Sequence, residues 1–448
     1  MSNLQAGFAR ENINPPMGIP IRGYFIPRFA DGILDDLEVV ALALKLGDVT
    51  TLMICIDNAG IKQEINLEFR KSASKATGVP VENIILSATH THTGPALENP
   101  ENLEIISEYV ALVDKKITAA AVNAIADLKD AKMGYGRGTA PNVAFCRRYL
   151  MKDGSIKTNP GVNNPDIVRP IREAYETVSV VRFDRENADT IVFVNFANHP
   201  DVIGGCKISA DWPGILRTTV EKVLDNTKCI FFNGMQGDIN HVNVFPKPGD
   251  FNGMFVDFDD VSRGYDHARY IARVVTGGVL QAFDKVNYVE VDKLASVQKV
   301  INVPSNRPDP KDIPEAHRIN DLHLAGRDDE LPYEGMMLTT IVAEAARMVR
   351  LENGPDAFDM TLSAIAIGPV AIVGVPGEPF TGIGVGLREA EGFDMIIPCC
   401  ITNGYEGYFP MKDSYDEGGY EARSSRFKAG VAEYIIEEGK KIIESLAK

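Results

Sequence analysis

The chain has 448 residues, of which 45% are hydrophobic and 24% charged, and these values are ordinary for a soluble globular protein. The length exceeds the usual size of one compact core, so we expect one large domain or two closely packed ones. The formal net charge of -16, without a stripe of Lys or Arg, disfavours nucleic acids and anionic membranes as partners. The first residues lack the features of a secretory signal, and no apolar run reaches membrane-spanning length. We therefore expect a cytoplasmic protein without a membrane anchor.

The first part of the chain predicts strands, then helices. Residues 37–46 and 51–56 have the pattern of a strand pair with a turn at Gly47 and Asp48. Helical periodicity follows at residues 64–77 and 105–128. Residues 131–175 are rich in Gly, Pro and Asn and show little periodicity, which indicates either a long functional loop or several short strands.

The second part predicts helices at residues 209–228 and 263–283, the first capped by Ser209 or Asp211. Residues 305–354 are charged and then helical, between strand patterns at 286–302 and 358–374, and predict a helical insertion. Two interpretations of this insertion stay open. A solvated helical pair without a catalytic role is the commoner case, and the other is a cover over a pocket.

The six cysteines have no zinc-finger spacing, and several lie inside apolar runs. We interpret them as reduced thiols of the core. Cys206 is the exception, because it follows His199 across a Gly204-Gly205 turn and is a candidate for lining a pocket.

Five short apolar runs each lead into polar residues near a glycine or proline. The runs are typical of strands buried on both faces. Since ligand sites of open α/β sheets lie beyond the carboxyl ends of the strands, we expect these endings to converge on one crevice. The runs are residues 84–86, 191–194, 229–232, 370–373 and 395–398, and their endings contain His90, His199, Asn233, Glu378 and Asn403.

Two histidines stand two residues apart in Thr89-His90-Thr91-His92-Thr93-Gly94-Pro95. Side chains at positions i and i+2 of an extended segment point the same way, and neutral imidazole is a common zinc ligand. Such pairs also occur as ordinary loop histidines. The other converging endings favour a metal site over that alternative.

Taken in order, these motifs resemble the catalytic domain of neutral/alkaline ceramidases. The resemblance runs from about Gly7 to nearly the C-terminus, and its strength lies in the joint order of the motifs. It implies an α/β fold of mixed buried β-sheets flanked by helices, forming a single large catalytic domain over residues 1–448. The motifs are residues 89–95, Asn198-His199-Pro200, residues 209–214, Gly237-Asp238-Ile239-Asn240 and residues 403–408.

The resemblance implies a zinc site whose ligands are the first His of His-Thr-His, the His-Pro histidine, a glutamate and a tyrosine. These are His90, His199, Glu378 and Tyr408 in this chain. Two imidazoles, a carboxylate and a phenolate offset the dication and leave one position for water. Tyr405 competes with Tyr408. The family spacing of twelve residues to a second active-site tyrosine fits Tyr408 and Tyr420, and we prefer Tyr408.

The same resemblance assigns three residues to the substrate side of the metal. His92 donates to an oxyanion or to the leaving nitrogen, Tyr420 donates to the oxyanion, and Arg147 binds a carbonyl or carboxylate, with Arg148 as its rival. Asp211 and Asp238 are candidates for orienting the ligand imidazoles, although caps or turn formers are at least as common in such positions.

Two departures separate this chain from the ceramidases. Asn240 stands where they carry a serine, so an acyl-serine mechanism is excluded at this position while metal-activated water is not. Since the sequence ends soon after Tyr434, we expect this chain to lack the C-terminal β-sandwich of the ceramidases. These departures make a membrane sphingolipid a doubtful substrate.

We therefore expect a zinc-dependent hydrolase that cleaves an amide bond of a small soluble substrate, with N-acylated compounds as one class. A lactonase or esterase would use the same zinc site, and a non-catalytic small-molecule-binding homologue is a further alternative. A metallophosphoesterase is disfavoured because it needs more Asp and His ligands. The sequence leaves open whether the chain forms a homo-oligomer, and iron or manganese suits a similar ligand set.

Overall fold

The computed structural model describes residues 3–24, 27–247 and 264–447. Two β-sheets lie face to face between layers of helices. The helices of the described residues are α1 Gln63–Thr77, α2 Glu104–Ala126, α3 Asp211–Val223, α4 Tyr265–Phe283, α5 Ile313–Leu324, α6 Gly335–Leu351, α7 Thr381–Leu387, α8 Lys412–Glu417, α9 Tyr420–Ser424 and α10 Val431–Ala447.

The larger sheet has nine strands. Along the sheet the order is β8-β7-β6-β5-β1-β2-β3-β4, and β9 pairs with β5. Neighbours are antiparallel except for β3 with β4 and β7 with β8, which are parallel. The strands are β1 Gln5–Asn12, β2 Glu38–Leu46, β3 Val49–Ile56, β4 Ile84–Ala88, β5 Lys129–Thr139, β6 Thr177–Arg185, β7 Thr190–Phe196, β8 Thr227–Asn233 and β9 Asn287–Val289.

The smaller sheet has the order β10-β11-β12-β13, with only its last pair parallel. Its strands are β10 Leu294–Pro304, β11 Ala357–Ile367, β12 Val370–Gly374 and β13 Met395–Cys399. Short strands make up the rest of the described β-structure. They are Arg148–Met151, Ile156–Thr158 and Ile167–Pro170 in one sheet, and the pairs Pro20–Ile21 with Arg28–Phe29, Gly32–Ile33 with Lys207–Ile208, Phe145–Cys146 with Ile239–Asn240, and Glu378–Pro379 with Tyr408–Phe409.

The layers follow from which strand faces are apolar. One core lies between the two sheets, where residues such as Ile85, Phe193 and Ile372 meet. On the outer face of the large sheet, α1 and α2 cover one half, and α3 and α4 cover the other. Helices α7 and α10 cover the outer face of the small sheet. Central strands are therefore buried on both faces, which explains their nearly continuous apolar runs.

The region 131–175 contains strands rather than one long loop, so the second of the two alternatives is correct. All of its first nine residues belong to β5, an eleven-residue strand. The glycines of β5 weaken its strand pattern, and they are needed because α4 packs closely against the strand. A Cβ on Gly138 would lie 1.9 Å from the carbonyl oxygen of Gly278 in α4, so only glycine allows the helix to pack this closely.

Helices α5 and α6 occupy the region 305–354, and β10 and β11, which they separate in the chain, pair directly. The pair has its own small apolar cluster. Helix α6 also packs on α9, where Arg347 Nε donates to the carbonyl of Arg423 at 2.9 Å. This contact places the pair beside the segment that carries Tyr420.

All six cysteines are free thiols, and all except the half-buried Cys206 are buried. Cys206 packs against the core under α1 and α2. None of the described helices combines the length and the apolar character that crossing a membrane requires.

Candidate metal centre

The five polar endings meet at one edge of the two sheets. The backbone N–H of His92, after β4, donates to Pro200, after β7, at 3.0 Å. The N–H of Cys400, after β13, donates to Asn233 at the end of β8 at 2.9 Å. The N–H of Gly237 donates to Pro379 at 2.9 Å. The strand ends are thus tied together by backbone hydrogen bonds, and the side chains between them share one buried site.

His90 is held by the loop that follows β3. Its backbone φ of 76° lies in the left-handed region, which non-glycine residues rarely adopt away from functional or tightly constrained sites. Its N–H donates to Asn58, and its Nδ1 donates to the carbonyl of Ala59 at 2.5 Å. A carbonyl only accepts, so Nδ1 carries the proton and Nε2 presents a lone pair to the site.

That loop is anchored by a buried ion pair. Asp57 accepts from Arg217 of α3 through both carboxylate oxygens, at 3.0 and 2.5 Å. Both side chains are buried. The pair fixes the residues whose carbonyl groups orient His90, although neither member touches the histidine cluster in these hydrogen bonds.

Glu378 comes from the short strand after β12. Its N–H donates to Gly407 at 2.8 Å, and its Oε1 accepts from the Tyr405 hydroxyl at 2.8 Å. The loop at Gly237 passes directly behind it, since a Cβ there would lie 2.4 Å from the Glu378 carbonyl oxygen. Oε2 is buried and has no hydrogen-bond partner among the described residues.

His90, His92 and His199 form a cluster whose ligand atoms all lie within 4.8 Å of one another. Glu378 Oε2 lies 3.2 Å from His90 Nε2 and 3.6 Å from His199 Nε2. His92 Nε2 lies 3.2 Å from His90 Nε2. Ligand atoms about 2.0–2.1 Å from a tetrahedral zinc ion are roughly 3.3 Å apart, so these spacings suit a metal.

The charges give a second test of that fit. His90 Nε2 and Glu378 Oε2 both present lone pairs, and two lone pairs at this distance repel unless a cation or proton lies between them. Burial opposes ionisation of Glu378, but a protonated His90, and then Arg147 and Tyr405, lower its pKa to about 2 when a proton rather than a metal lies between the two side chains. An ionised carboxylate beside imidazole nitrogens is the donor set that zinc prefers.

His199 lies opposite His90 on the loop after β7. Its Nδ1 contacts the Gln236 carbonyl at 3.4 Å. The other ring nitrogen, Nε2, therefore points to Glu378 and lies 3.6 Å from Oε2. Burial, followed by the charge of Arg147, holds its pKa well below the usual value for histidine. A neutral imidazole is the form that binds a metal.

His92 has a carboxylate partner that the sequence analysis missed. Its Nδ1 lies 3.5 Å from Asp201 Oδ1, and Asp201 accepts a hydrogen bond from the Tyr24 hydroxyl. Arg28 donates to the His92 carbonyl at 2.6 Å and stacks over the Tyr24 ring. The signal was available in the sequence, because Asp201 follows His199 and Pro200 directly.

The three tyrosines take different places around Glu378. Tyr405 donates to its carboxylate, as described above. Tyr408 sits on the strand paired with Glu378, and its ring lies 5.5 Å from that of Tyr420 in an edge-to-face contact. Burial and then the charge of Glu378 raise the pKa of all three phenols, so they are protonated donors in the absence of a cation.

Arg147 points into the site and Arg148 away from it. Arg147 hydrogen-bonds Tyr408, donates to the Gly237 carbonyl at 2.8 Å and pairs with Glu421 at 2.7 Å. Arg148 donates instead to Ser414 and to the carbonyl of Gly418 in the loop around α8. Glu421, the buried partner of Arg147, was also missed, although it directly follows Tyr420 in the sequence.

Asp211 and Asp238 hold loops rather than imidazoles. Asp211 accepts from the backbone N–H groups of Val202, Ile203 and Trp212. Asp238 accepts from the N–H and hydroxyl of Thr381, beyond Glu378. The imidazoles of His90 and His199 contact the carbonyls of Ala59 and Gln236 instead, and the turn-forming alternative is the correct one for Asp211 and Asp238.

Asn240 also serves local structure. Its amide nitrogen donates to Asn159 at 2.9 Å, and its oxygen accepts from the N–H of Val242 at 3.0 Å. Both functional atoms of the side chain are therefore occupied in the turn.

A separate cavity of about 1070 Å³ opens at the other end of the large sheet. It is lined by residues where β1 and β5 begin and where β2 and β6 end, including Asn3, Leu46, Ala131 and Asp184. No histidine lines it, and the convergent ligand atoms are at the opposite edge. Size alone therefore does not mark the chemical site in this molecule.

Two solved structures are similar to this chain. A neutral ceramidase from Pseudomonas aeruginosa matches with a TM-score of 0.75 and 18% sequence identity, covering 100% of this chain and 75% of that chain. A ceramidase complexed with C2 matches with a TM-score of 0.74, 17% identity and the same coverage. The chain has a ceramidase-like fold. No family model and no curated protein matches the sequence.

The ceramidase-like fold confirms the fold class that the sequence predicts, a mixed α/β architecture with helices flanking buried sheets. It also confirms the family resemblance at the level of the fold. The sequence motifs that carried the resemblance lie at the strand ends described above.

Proposed function

We propose that this chain is a zinc-dependent hydrolase that cleaves an amide bond in a small substrate. The observation that carries the proposal is the buried Glu378 Oε2, which lacks a hydrogen-bond partner among the described residues and faces His90 and His199. The likeness to ceramidases supports the reaction class, since a ceramidase acts on an amide.

His90, His199, Glu378 and Tyr408 would hold the metal, with Tyr405 as the rival phenol. When bound, zinc supplies Lewis acidity and lowers the pKa of water. Tyr405 already donates to the second oxygen of Glu378, which leaves Tyr408 as the phenol without a bond to that carboxylate among the described contacts. This supports the choice of Tyr408.

Three residues would act on the substrate. Tyr420 is a protonated phenol and Arg147 a fixed cation, so both donate to the carbonyl oxygen as negative charge develops on it. Burial lowers the pKa of His92 to about 4, so its imidazole is neutral at pH 7. A neutral imidazole first takes a proton from the attacking water and then delivers it to the leaving nitrogen.

The proposal is tested by metal analysis of purified protein, followed by paired panels of amides and lactones. We expect about one zinc per chain and turnover of amides. His90→Ala should abolish metal binding, whereas His317→Ala, on the distant helix α5, should retain it. Activity on lactones alone would replace the amidase with a lactonase. Stoichiometric zinc without turnover of any acyl compound would favour the non-catalytic binding homologue.

A further inference from the structure

Four cations from four separate segments lie near Tyr405. We call them the cationic mouth. They are Arg22 after the strand Pro20–Ile21, Lys62 before α1, Arg350 in the last turn of α6, and Arg426 after α9.

Contacts tie these cations to the loops of the site. The N–H of Arg22 donates to the Gly94 carbonyl at 3.0 Å, and Arg426 pairs with Glu406 next to Tyr405. Lys62 shares the carboxylate of Glu98 with Arg22. Arg350 lies one helical turn beyond Arg347, which donates to the carbonyl of Arg423 in α9.

Most of these cations are already paired. Glu98 binds Arg22 through Oε1 at 2.7 Å and Lys62 through Oε2 at 2.6 Å, so both of its oxygens are occupied. Arg426 pairs with Glu406. Arg350 is exposed, and its guanidinium has no hydrogen bond or ion pair to any described residue. It is the member of the mouth that is free to bind a ligand.

Arg350 also lies near two phenols of the candidate site. Its charge interacts with Glu98 and, more weakly, with Tyr405, whose hydroxyl contacts Glu378, and with Tyr420. A cation in the last turn of a helix stabilises the helix terminus, which is the ordinary explanation for such a residue. That explanation does not account for the three further cations from other segments.

Gathering these cations has an electrostatic cost. Burial, and then the charge of Arg350, lower the pKa of Arg426 to about 10. Among the residues that the structure describes, the four cations face three carboxylates there, Glu64, Glu98 and Glu406, and one positive charge is left over. This surplus stands out in a chain with a net charge of -16, and a bound monoanion would neutralise it.

We propose that Arg350 binds a carboxylate on the substrate, which makes N-acyl amino acids and related anionic amides the substrate class. A guanidinium binds a carboxylate through two parallel hydrogen bonds, and the single surplus charge matches a carboxylate better than a dianionic phosphate. The inference rests on the proposed amide hydrolase, and it deepens that proposal by naming the charge of the substrate.

The test measures binding, so it does not depend on turnover. The probes are keto acids in which a methylene replaces the amide nitrogen of N-acylglycines with short and long acyl chains. Their uncharged primary amides and their phosphonate analogues complete the set. Dissociation constants are measured by calorimetry on the zinc-loaded protein. We expect wild type to prefer each keto acid over its primary amide by roughly 10- to 100-fold.

Arg350→Ala should remove this preference without changing the affinity for the primary amides, and Arg350→Lys should keep part of it. The matched control is Arg318→Ala, which removes the same charge from the exposed face of α5 in the same helical pair. An unchanged preference in Arg350→Ala would overturn the proposal, and so would tighter binding of the phosphonates than of the keto acids. If the keto acids bind as expected while N-acylglycines are not hydrolysed, the proposed reaction fails but the anion site stands.

Discussion

The metal centre and the cationic mouth are neighbours that share Tyr405, yet they are built in different ways. The centre is buried, and its side chains are held by backbone carbonyls at the ends of strands. The mouth is largely exposed, and its side chains come from loops and from the end of α6. One region depends on the sheets, and the other depends on segments attached to them.

Under the proposed function, the buried centre would carry out the reaction and the cationic mouth would select the substrate. Because the centre is made by the strand ends, the sheets fix the positions of its side chains. The mouth depends on α6, which belongs to the helical pair between β10 and β11. A change in the centre should therefore affect every substrate, and a change in the mouth should affect only charged ones.

The largest effect is expected from Glu378→Gln. The amide keeps the size of the side chain but loses the charge beside His90 and His199, so metal should be lost. Metal catalysis is worth several kcal/mol, so kcat should fall about 1000-fold or more on anionic and neutral amides alike. Zinc content by mass spectrometry and kcat on both amide classes measure this.

Glu389→Gln, an exposed glutamate beyond α7, is the matched control and should keep both metal and activity. Full zinc occupancy in Glu378→Gln would contradict the assigned ligand set. A loss of activity confined to anionic substrates would contradict the separation between the two regions.

The second largest effect is expected from breaking the ion pair that anchors the loop beside His90. Arg217→Met leaves Asp57 as an unpaired buried carboxylate, which should lower the free energy of unfolding by about 3–5 kcal/mol. Since Asp57 anchors the loop whose carbonyls orient His90, zinc affinity should fall as well. Urea unfolding and zinc competition measure the two changes.

Removal of the exposed Arg318 is the control for Arg217, because its ion pair on α5 is solvated and worth little. A stability loss in Arg217→Met without any change in zinc affinity would show that the loop holds His90 independently of the ion pair.

Much of the architecture could be predicted from the sequence, because buried strands leave continuous apolar runs. Strand β5 could not be predicted with certainty, because its glycines interrupt the pattern of a strand. Glycines such as Gly138 stand there because they allow α4 to pack closely. The sequence also pointed to one site at the strand ends, where the structure brings His90, His92, His199 and Glu378 together.

The remaining features depend on side-chain direction, which spacing does not reveal. Arg147 and Arg148 are adjacent in the chain, yet only Arg147 turns towards Tyr408. Asp201 reaches His92 only because the loops after β4 and β7 are hydrogen-bonded. The cationic mouth carries no motif, since its four members lie far apart in the sequence.

A pH-dependent effect is expected from Asp35, which lies beneath the His-Thr-His loop. It accepts from Ser209 and Ala210, and the Ser209 carbonyl accepts from Thr91. Burial raises the pKa of Asp35 to about 6, above its unfolded value of 3.8. The folded state then binds more protons than the unfolded state between these values, so stability should fall as pH rises from about 4 to about 6, by at most about 3 kcal/mol.

Asp35→Asn should flatten this slope, which urea unfolding at a series of pH values would measure. The exposed Asp48→Asn is the control and should leave the slope unchanged. The same slope in Asp35→Asn as in wild type would contradict the assignment to Asp35.

The smallest effect is expected from Asp201→Asn. The carboxylate lies 3.5 Å from His92 Nδ1 and is itself fixed by Tyr24, so we expect it to favour the proton on Nδ1 and to leave Nε2 for the site. Replacing such a partner typically costs about 10- to 100-fold in metal affinity or activity. Both anionic and neutral amides should lose kcat by the same factor, since Asp201 supports the centre and not the mouth.

Nitrogen NMR of the His92 ring distinguishes this role from a purely structural one, because the tautomer should shift while the melting temperature does not. If the variant lost only its preference for anionic substrates, Asp201 would belong to the mouth. His92, which Asp201 contacts, would then contribute to both regions, and the two regions would not be separate.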